Sequence, residues 1–316
     1  MSVRRLPMST AAVRRRQKRR VHQYWELYLM FLPIATFIFV FRYIPMGGIV
    51  IAFKDYSIFK GIWNSPWVGL AHFQDLFSSE VFRRALRNTL IISMGRLLFA
   101  FPVPIVFAIL LDELRLRSYG RVVQTLSYLP HFISWPVVAG ICFTFLSPAS
   151  GVMNRLLSEV IGVKLNFLGD PRLFRGTVIG THIWKSFGWT SIIYLAALSG
   201  VDVQLYEAAY MDGATRLQRI WYVTLPSILP VVVVMLILSV GYILDAGFEQ
   251  IFVMINDMVM GVGETIDYYI YRVGLYQVSN FSYSTAVGLF KSVGGFLMIV
   301  ITNRICKAVN EGTGIW

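Results

Sequence analysis

Two groups of polar and aromatic residues lie within apolar stretches of the sequence. They are Trp184, Lys185 and Trp189, and Tyr242, Asp245 and Glu249. On a helix, Lys185 and Trp189 share one face at i and i+4, and the second group shares one face at i, i+3 and i+7. Aromatic rings can pack against the C–H faces of sugars, and carboxylates accept hydrogen bonds from sugar hydroxyls. The two groups therefore predict a path for a saccharide.

Other roles remain open for the same residues. Trp184 and Trp189 could be anchors at a membrane interface, where tryptophan is enriched. Lys185 could extend its ammonium group toward water, or form a structural ion pair with Asp245. If a transported saccharide carries uronic acids, Lys185 would instead bind their carboxylates, which is a hypothesis.

The sequence lacks the spacings expected of a catalytic or metal site. Its four histidines, His22, His72, His131 and His182, are scattered and form no H-x-x-x-H or H-E-x-x-H pair. There is no G-x-S-x-G nucleophile motif and no G-x-x-x-x-G-K-[ST] phosphate loop. The two cysteines form no C-x-x-C pair. We therefore expect no catalytic residue, no bound cofactor and no metal in this chain, which disfavours a membrane-embedded enzyme.

The elements that must position these residues are helices in lipid. Of the 316 residues 56% are hydrophobic and only 15% are charged, which is too little charge for a soluble protein of this length. A helix needs about 20 apolar residues to cross a bilayer. Six segments qualify, at about 27–49, 88–111, 122–146, 177–200, 228–248 and 284–303. The sequence thus predicts an all-α, six-span membrane domain over 27–303, with kinks near prolines such as Pro130 and Pro136.

Charge sets the predicted orientation. The net charge is +12, and eight of the 29 lysines and arginines lie in the first twenty residues, so 1–26 is predicted to be a basic cytoplasmic tail. An even number of spans puts the short C-terminus, 304–316, on the same side. The segments thereby placed in the cytoplasm hold 15 lysines and arginines, against 10 in the outer segments. We therefore predict that both termini are cytoplasmic.

The predicted cytoplasmic loop 202–226 has a defined local pattern. Asp202 is suited to cap a short helix that runs to Met211, and Gly213 is suited to a turn that side chains with a Cβ disfavour. Ala208 and Ala209 keep one face of that helix thin, so another protein could approach its backbone. The loop is therefore predicted to transmit force between the membrane helices and a soluble partner; the alternative is a solvated amphipathic loop.

This loop resembles the EAA loop of binding-protein-dependent ABC importer permeases. The matching residues are Glu207, Ala208, Ala209, Asp212, Gly213, Ala214, Leu225 and Pro226, and Val223 stands where isoleucine is more usual. Other stretches look like permeases for oligosaccharides and polysaccharide breakdown products. They are Tyr43-Ile44-Pro45-Met46-Gly47-Gly48, Asn88-Thr89-Leu90, the segment 284–292 and the terminal Gly314-Ile315-Trp316.

The resemblance implies the type I importer fold and a division of labour among several chains. The EAA residues would form a coupling helix that docks in a groove of a separate ATP-binding subunit, which would bind ATP and Mg²⁺. Two such subunits, a second permease chain and an extracellular solute-binding protein would complete the importer in a bacterial cell membrane. The cargo would be an oligosaccharide, and an acidic one if Lys185 meets uronic acids. No nucleic acid is expected as a partner.

Two further classes of protein remain as alternatives. A self-contained secondary transporter would be expected to show acid–base relays and a repeated half, and neither is evident in the sequence. A scaffold that binds anionic lipid or nucleic acid through the basic tail would depend on residues 1–20, whereas a transporter should retain much of its uptake without them.

Overall fold

A computed structural model of the chain describes residues 24–114, 116–276 and 280–309. Most of the basic tail, residues 1–23, and the terminal residues 310–316, with Gly314-Ile315-Trp316, lie outside the described residues. The predictions made for those two segments therefore stay predictions.

The described residues are helical almost throughout, apart from turns and an isolated antiparallel bridge between Lys54 and Trp67. The principal helices are α1 (Trp25–Phe53), α2 (Ala71–Ser78), α3 (Glu80–Asp112), α4 (Arg117–Phe132), α5 (Trp135–Leu146), α6 (Val152–Val160), α7 (Pro171–Ser199), α8 (Val203–Met211), α9 (Arg216–Gly241), α10 (Phe248–Met254), α11 (Ile266–Tyr271) and α12 (Phe281–Val309).

Four of these helices are each long and apolar enough to cross a membrane: α1, α3, α9 and α12. Two bent pairs reach the same length and hydropathy if each pair is taken as one span, with a bend of 103° between α4 and α5 and of 71° between α7 and α8. The described part of the chain thus offers four to six spans by length and composition. In α3, a π-helical turn at Arg96–Ala100 ends two residues before Pro102, where a kink is expected.

The predicted third span, 122–146, is two helices rather than one. Pro136 has no N–H with which to continue the helix of α4, so the chain turns at Ile133 and Ser134 and α5 begins at Trp135. The turn separates the carbonyls of Pro130 and His131 from the donors that a continuous helix would supply. The Ile133 N–H still donates to the Pro130 carbonyl at 3.3 Å, and a side chain on α7 donates to both carbonyls, as described below.

The predicted fifth span, 228–248, is also interrupted, and this corrects the expected single helical face of Tyr242, Asp245 and Glu249. α9 ends at Gly241, and Gly247 has a φ of +74° that a continuing right-handed helix cannot contain. The Asp245 carboxylate accepts a hydrogen bond from the Gly247 N–H at 3.0 Å and closes an Asx turn. Glu249 therefore belongs to a separate helix, α10.

α7 lies at the centre of the bundle, against α3, α4 and α9. At one end of it Tyr194 and Leu198 are buried with Ile228, and toward the other end Phe174 and Val178 are buried with the residues of α10. Close approach between α7 and α4 depends on Gly188, because a Cβ there would overlap the backbone carbonyl group of Ser127.

We predict that Gly188→Ala lowers the free energy of unfolding by about 1–3 kcal/mol, because backbone atoms must move to admit the new methyl group. Thermal unfolding of the purified protein in detergent measures the change. Gly180→Ala is the matched control, since a Cβ at Gly180 of the same helix would have no neighbour within 4 Å. This control should be at least as stable as the parent, because alanine favours a helix. Equal stability of the two variants would contradict the packing described for α7.

Candidate functional site

The loop that joins α7 to α9 is ordered by its own side chains. The Asp202 carboxylate accepts a hydrogen bond from the Gln204 N–H at 2.9 Å, so the predicted cap of α8 is confirmed, as is its end at Met211. Gly213 has a φ of +77°, which confirms the predicted turn. Thr215 and Gln218 then form a capping box at the start of α9. The loop therefore has a defined shape without any partner.

Two contacts join α8 to the first turns of α9. The hydroxyl groups of Tyr206 and Thr224 lie 3.0 Å apart and form a hydrogen bond, and the Arg219 guanidinium lies 6.0 Å from the ring centroid of Tyr210. Glu207 and Met211 complete the walls of a cavity of about 440 Å³ between the two helices. A movement of α8 would therefore act directly on α9.

The EAA residues lie on the outside of this loop. Glu207, Ala208, Asp212, Gly213 and Pro226 are exposed, while Ala209, Ala214 and Leu225 are half-buried. Apolar side chains of α8 are exposed beside them, with 65% of Val203 and 84% of Met211 accessible. An exposed apolar surface beside a thin alanine face is typical of a protein–protein contact.

Lys185 was predicted to lie on the saccharide path, but its side chain contacts the end of α4 instead. It is buried, and its ammonium group donates to the carbonyl oxygens of His131 at 2.6 Å and Pro130 at 3.4 Å. It also lies 5.4 Å from the ring centroid of Trp135. Lys185 therefore closes the broken end of α4, and it forms no ion pair with Asp245.

The two tryptophans beside Lys185 have different surroundings. Trp189 stacks on His131 with ring centroids 4.6 Å apart and meets Phe132 edge-on, so it packs on the same turn that Lys185 closes. Lys185 and Trp189 do share a helical face, as predicted, but that face meets α4. Trp184 is 43% exposed.

Asp245 is paired with a residue of the last helix. Its carboxylate lies 3.5 Å from the Lys291 ammonium group, which donates at 2.5 Å to Asp267 of α11. Burial raises the pKa of the Asp267 carboxyl group, and the hydrogen bond from Lys291 acts in the opposite direction. Lys291 thus joins three segments that are distant in sequence.

A cavity of about 340 Å³ lies among α3, α7 and the end of α9, and it contains two members of the predicted path, Tyr242 and Asp245. Trp184, Lys185, Trp189 and Glu249 do not line it. The lining residues with polar side-chain atoms are Ser93, Arg96, His182, Ser186, Thr190, Tyr194, Ser239, Tyr242 and Asp245. Apolar walls with several converging polar groups are typical of small-molecule sites.

Arg96 is the cation of this lining. It donates a hydrogen bond to the Gln250 Oε1 at 2.5 Å. Gln250 is fully buried, and its amide nitrogen donates to the Val178 carbonyl at 2.7 Å and the Thr181 hydroxyl at 2.8 Å. Residues of α7 and α10 together therefore hold the guanidinium group in position.

Arg96 could be placed in a span from the sequence, but it could not be connected with this site. A signal was present: His182, Ser186 and Thr190 repeat every four residues along α7 and therefore share one polar face of that helix. The contact of Arg96 with Gln250 joins residues 154 apart and leaves no such local pattern.

A family model and curated relatives both match this chain to membrane components of transport systems. Residues 100–311 match the family model described as a binding-protein-dependent transport system inner membrane component. The chain is 45% identical to the polygalacturonan/rhamnogalacturonan transport system permease protein YteP of Bacillus subtilis (strain 168), over 96% of each chain. It is 46% identical to the protein LplB of the same organism, over 90% of this chain and 89% of LplB.

A solved structure agrees with the fold. A chain of a bacterial ABC transporter involved in the import of the acidic polysaccharide alginate is 40% identical and superimposes with a TM-score of 0.85, over 93% of this chain and 99% of that one. A second structure of a bacterial alginate ABC transporter, in complex with an alginate pentasaccharide-bound periplasmic protein, matches equally well. The predicted all-α membrane fold of an importer transmembrane domain is thereby confirmed.

We predict that Lys185→Met lowers the free energy of unfolding by about 1–3 kcal/mol, because the His131 carbonyl at the end of α4 loses its donor and the Pro130 carbonyl loses one of its two donors. Thermal unfolding in detergent measures the change. Lys164→Met is the control, since it removes the same charge from an exposed residue and should have little effect. An unchanged Lys185→Met protein would contradict the role of Lys185 in closing the turn.

Proposed function

The chain belongs to the family of binding-protein-dependent transport system inner membrane components, and from that membership we propose that it is one permease subunit of an ATP-driven oligosaccharide importer. It would form half of the translocation path. The observation that carries the proposal is α8, a capped and exposed helix that projects from the bundle within the region matched by the family model. The family is one of transporters and not of enzymes.

The loop 202–226 would be the point of contact with the ATP-binding subunit. Its cap, its turn at Gly213 and its capping box hold it in one shape, which reduces the entropy lost on docking. Val203 and Met211 supply exposed apolar area, and Ala208 admits a partner close to the backbone. Because Tyr206 and Arg219 join α8 to α9, closure of two ATP-binding subunits would be transmitted to the helices around the cavity.

The proposed cargo rests on the names of the relatives and on the residues that line the cavity. YteP is named for transport of polygalacturonan and rhamnogalacturonan, and the matched structures belong to alginate importers. Four residues with hydroxyl groups, Ser186, Thr190, Ser239 and Tyr242, line the cavity, as expected of a site for a polyhydroxylated ligand. We infer that the cargo is an oligosaccharide released from a polysaccharide, and that it includes uronic acid units.

The assembly needs further chains. A second permease subunit, two ATP-binding subunits that hold ATP and Mg²⁺, and an extracellular solute-binding protein would complete the importer in the cell membrane. In the proposed orientation both termini and α8 face the cytoplasm, as the charge distribution favours. Membership of the family disfavours the self-contained secondary transporter.

The test is to purify the full chain through a C-terminal affinity tag from its own membrane in mild detergent, and to identify stoichiometric companions by mass spectrometry. We expect an ATP-binding subunit and a second permease. Glu207→Arg and Gly213→Pro should release the ATP-binding subunit and retain the second permease, because Glu207 is exposed on α8 and proline cannot adopt the φ of +77° at Gly213.

Gly162→Pro is the matched control for Gly213→Pro. Gly162 is also exposed and has a φ of +73°, and a Cβ added to it would have no neighbour within 4 Å, but it lies far from α8 in the sequence. This variant should retain both companions. Recovery of the parent protein without any ATP-binding subunit would refute the proposed coupling, as would equal loss of that subunit from the Gly162→Pro variant.

A further inference from the structure

Arg96 occupies a position where a charge is costly. It stands at the middle of α3, a 33-residue helix that is long and apolar enough to cross a membrane. A charged side chain near the centre of a bilayer is expensive, faces the interior of the bundle and marks a functional site more often than a structural one. The cost must therefore be offset by what Arg96 contacts.

The contacts of Arg96 position its charge without neutralising it. Gln250, its hydrogen-bond partner, is an uncharged amide that is itself held by Val178 and Thr181. The Nε atom of Arg96 is buried and has no hydrogen-bond partner. Gly247 allows the backbone to approach the guanidinium group, since a Cβ at that residue would lie 2.9 Å from Nη1. A guanidinium group held in this way keeps donors for a planar anion.

The neighbouring carboxylate, Asp245, makes its direct contacts with residues other than Arg96. Asp245 lines the same cavity, but its side chain pairs with Lys291 and accepts from the Gly247 N–H. Among the described residues no carboxylate lies within ion-pair distance of Arg96. Lys185, a buried cation on α7, donates instead to the carbonyls of His131 and Pro130. Arg96 is therefore the cation that the cavity offers to a ligand.

We propose that Arg96, oriented by Gln250, binds the carboxylate of a uronic acid unit in this cavity and thereby gives the permease a preference for acidic over neutral oligosaccharides. This inference rests on the proposed function and names the residue that sets its specificity. Arg96 replaces Lys185 in the role that was predicted for Lys185 from the sequence. The hydroxyl groups of Ser93, Ser186 and Thr190 on the same cavity would meet the hydroxyl groups of the sugar.

The test uses the complete importer in proteoliposomes, with the solute-binding protein loaded and in excess so that capture does not limit uptake. The probes are oligogalacturonates of three to five units and the same oligomers with their carboxyl groups methyl-esterified, and a parallel pair made from oligomannuronates. The measured quantity is the ratio of initial ATP-dependent uptake rates, acid to ester. Arg96→Gln should lower this ratio about tenfold, and Arg96→Lys should lower it less, because an ammonium group keeps the charge but loses the planar fork.

A second variant tests the same point while Arg96 stays in place. Gln250→Glu puts a carboxylate against the guanidinium group and should also lower the acid-to-ester ratio, because the internal carboxylate competes with that of the sugar. Lys164→Met is the control, and it should leave the ratio unchanged. Each variant is compared only after it elutes as the assembled complex.

The outcomes separate the two proposals. If the parent importer takes up neither member of either probe pair in response to ATP, the proposed function fails and this inference fails with it. If the parent imports the acids but Arg96→Gln leaves the ratio unchanged, or lowers uptake of acid and ester equally, Arg96 is a structural residue. The inference is then overturned while the proposed function stands.

Discussion

A backbone group that leaves a helix inside a bilayer has no water with which to bond, and the architecture of this chain depends on how those groups are satisfied. At the break between α4 and α5 the ammonium group of Lys185 donates hydrogen bonds to the carbonyls of two residues. Past the end of α9 the Asp245 carboxylate takes the Gly247 N–H. Outside the predicted spans, in the segment after α5, the amide of Asn154 likewise joins the carbonyls of Leu146 and Leu165. Each of these irregular turns is therefore held by one polar side chain.

This constraint also explains why the cavity is polar. The helices that surround it are interrupted nearby, with a π-helical turn beginning at Arg96 and the left-handed Gly247 beyond the end of α9. Irregular backbone at membrane depth is tolerated where it lies within the protein or lines a cavity. The same interruptions bring Arg96, Gln250 and Asp245 to one place, so the features that weaken the helices are those that build the site.

The loop 202–226 could be predicted from the sequence because its structure is local. Asp202, Gly213 and Thr215 act on backbone groups within three residues of themselves, and each signal can be recognised in a single chain. The all-helical class followed from composition and the length of the apolar segments. The partners of Lys185 and Lys291 could not be predicted in this way, since their contacts join residues 54 and 24 apart and depend on how the helices pack. A kink near Pro136 could be predicted from the proline itself, but the division of the span into two separate helices, α4 and α5, could not. The end of α9 at Gly241 was missed, because the apolar composition continues beyond it and only the backbone geometry shows the interruption.

The cavity is lined by α3, α7 and the end of α9, whereas the loop 202–226 contains α8 and the first turns of α9, and the two share no residue. A substitution that reshapes the cavity thus leaves the surface of α8 as it was. After gene duplication, one copy could drift toward a new saccharide while still being served by the ATP-binding subunit of its parent. A bacterium could in this way import further saccharides by changing a few side chains near Arg96, without a second ATP-binding subunit.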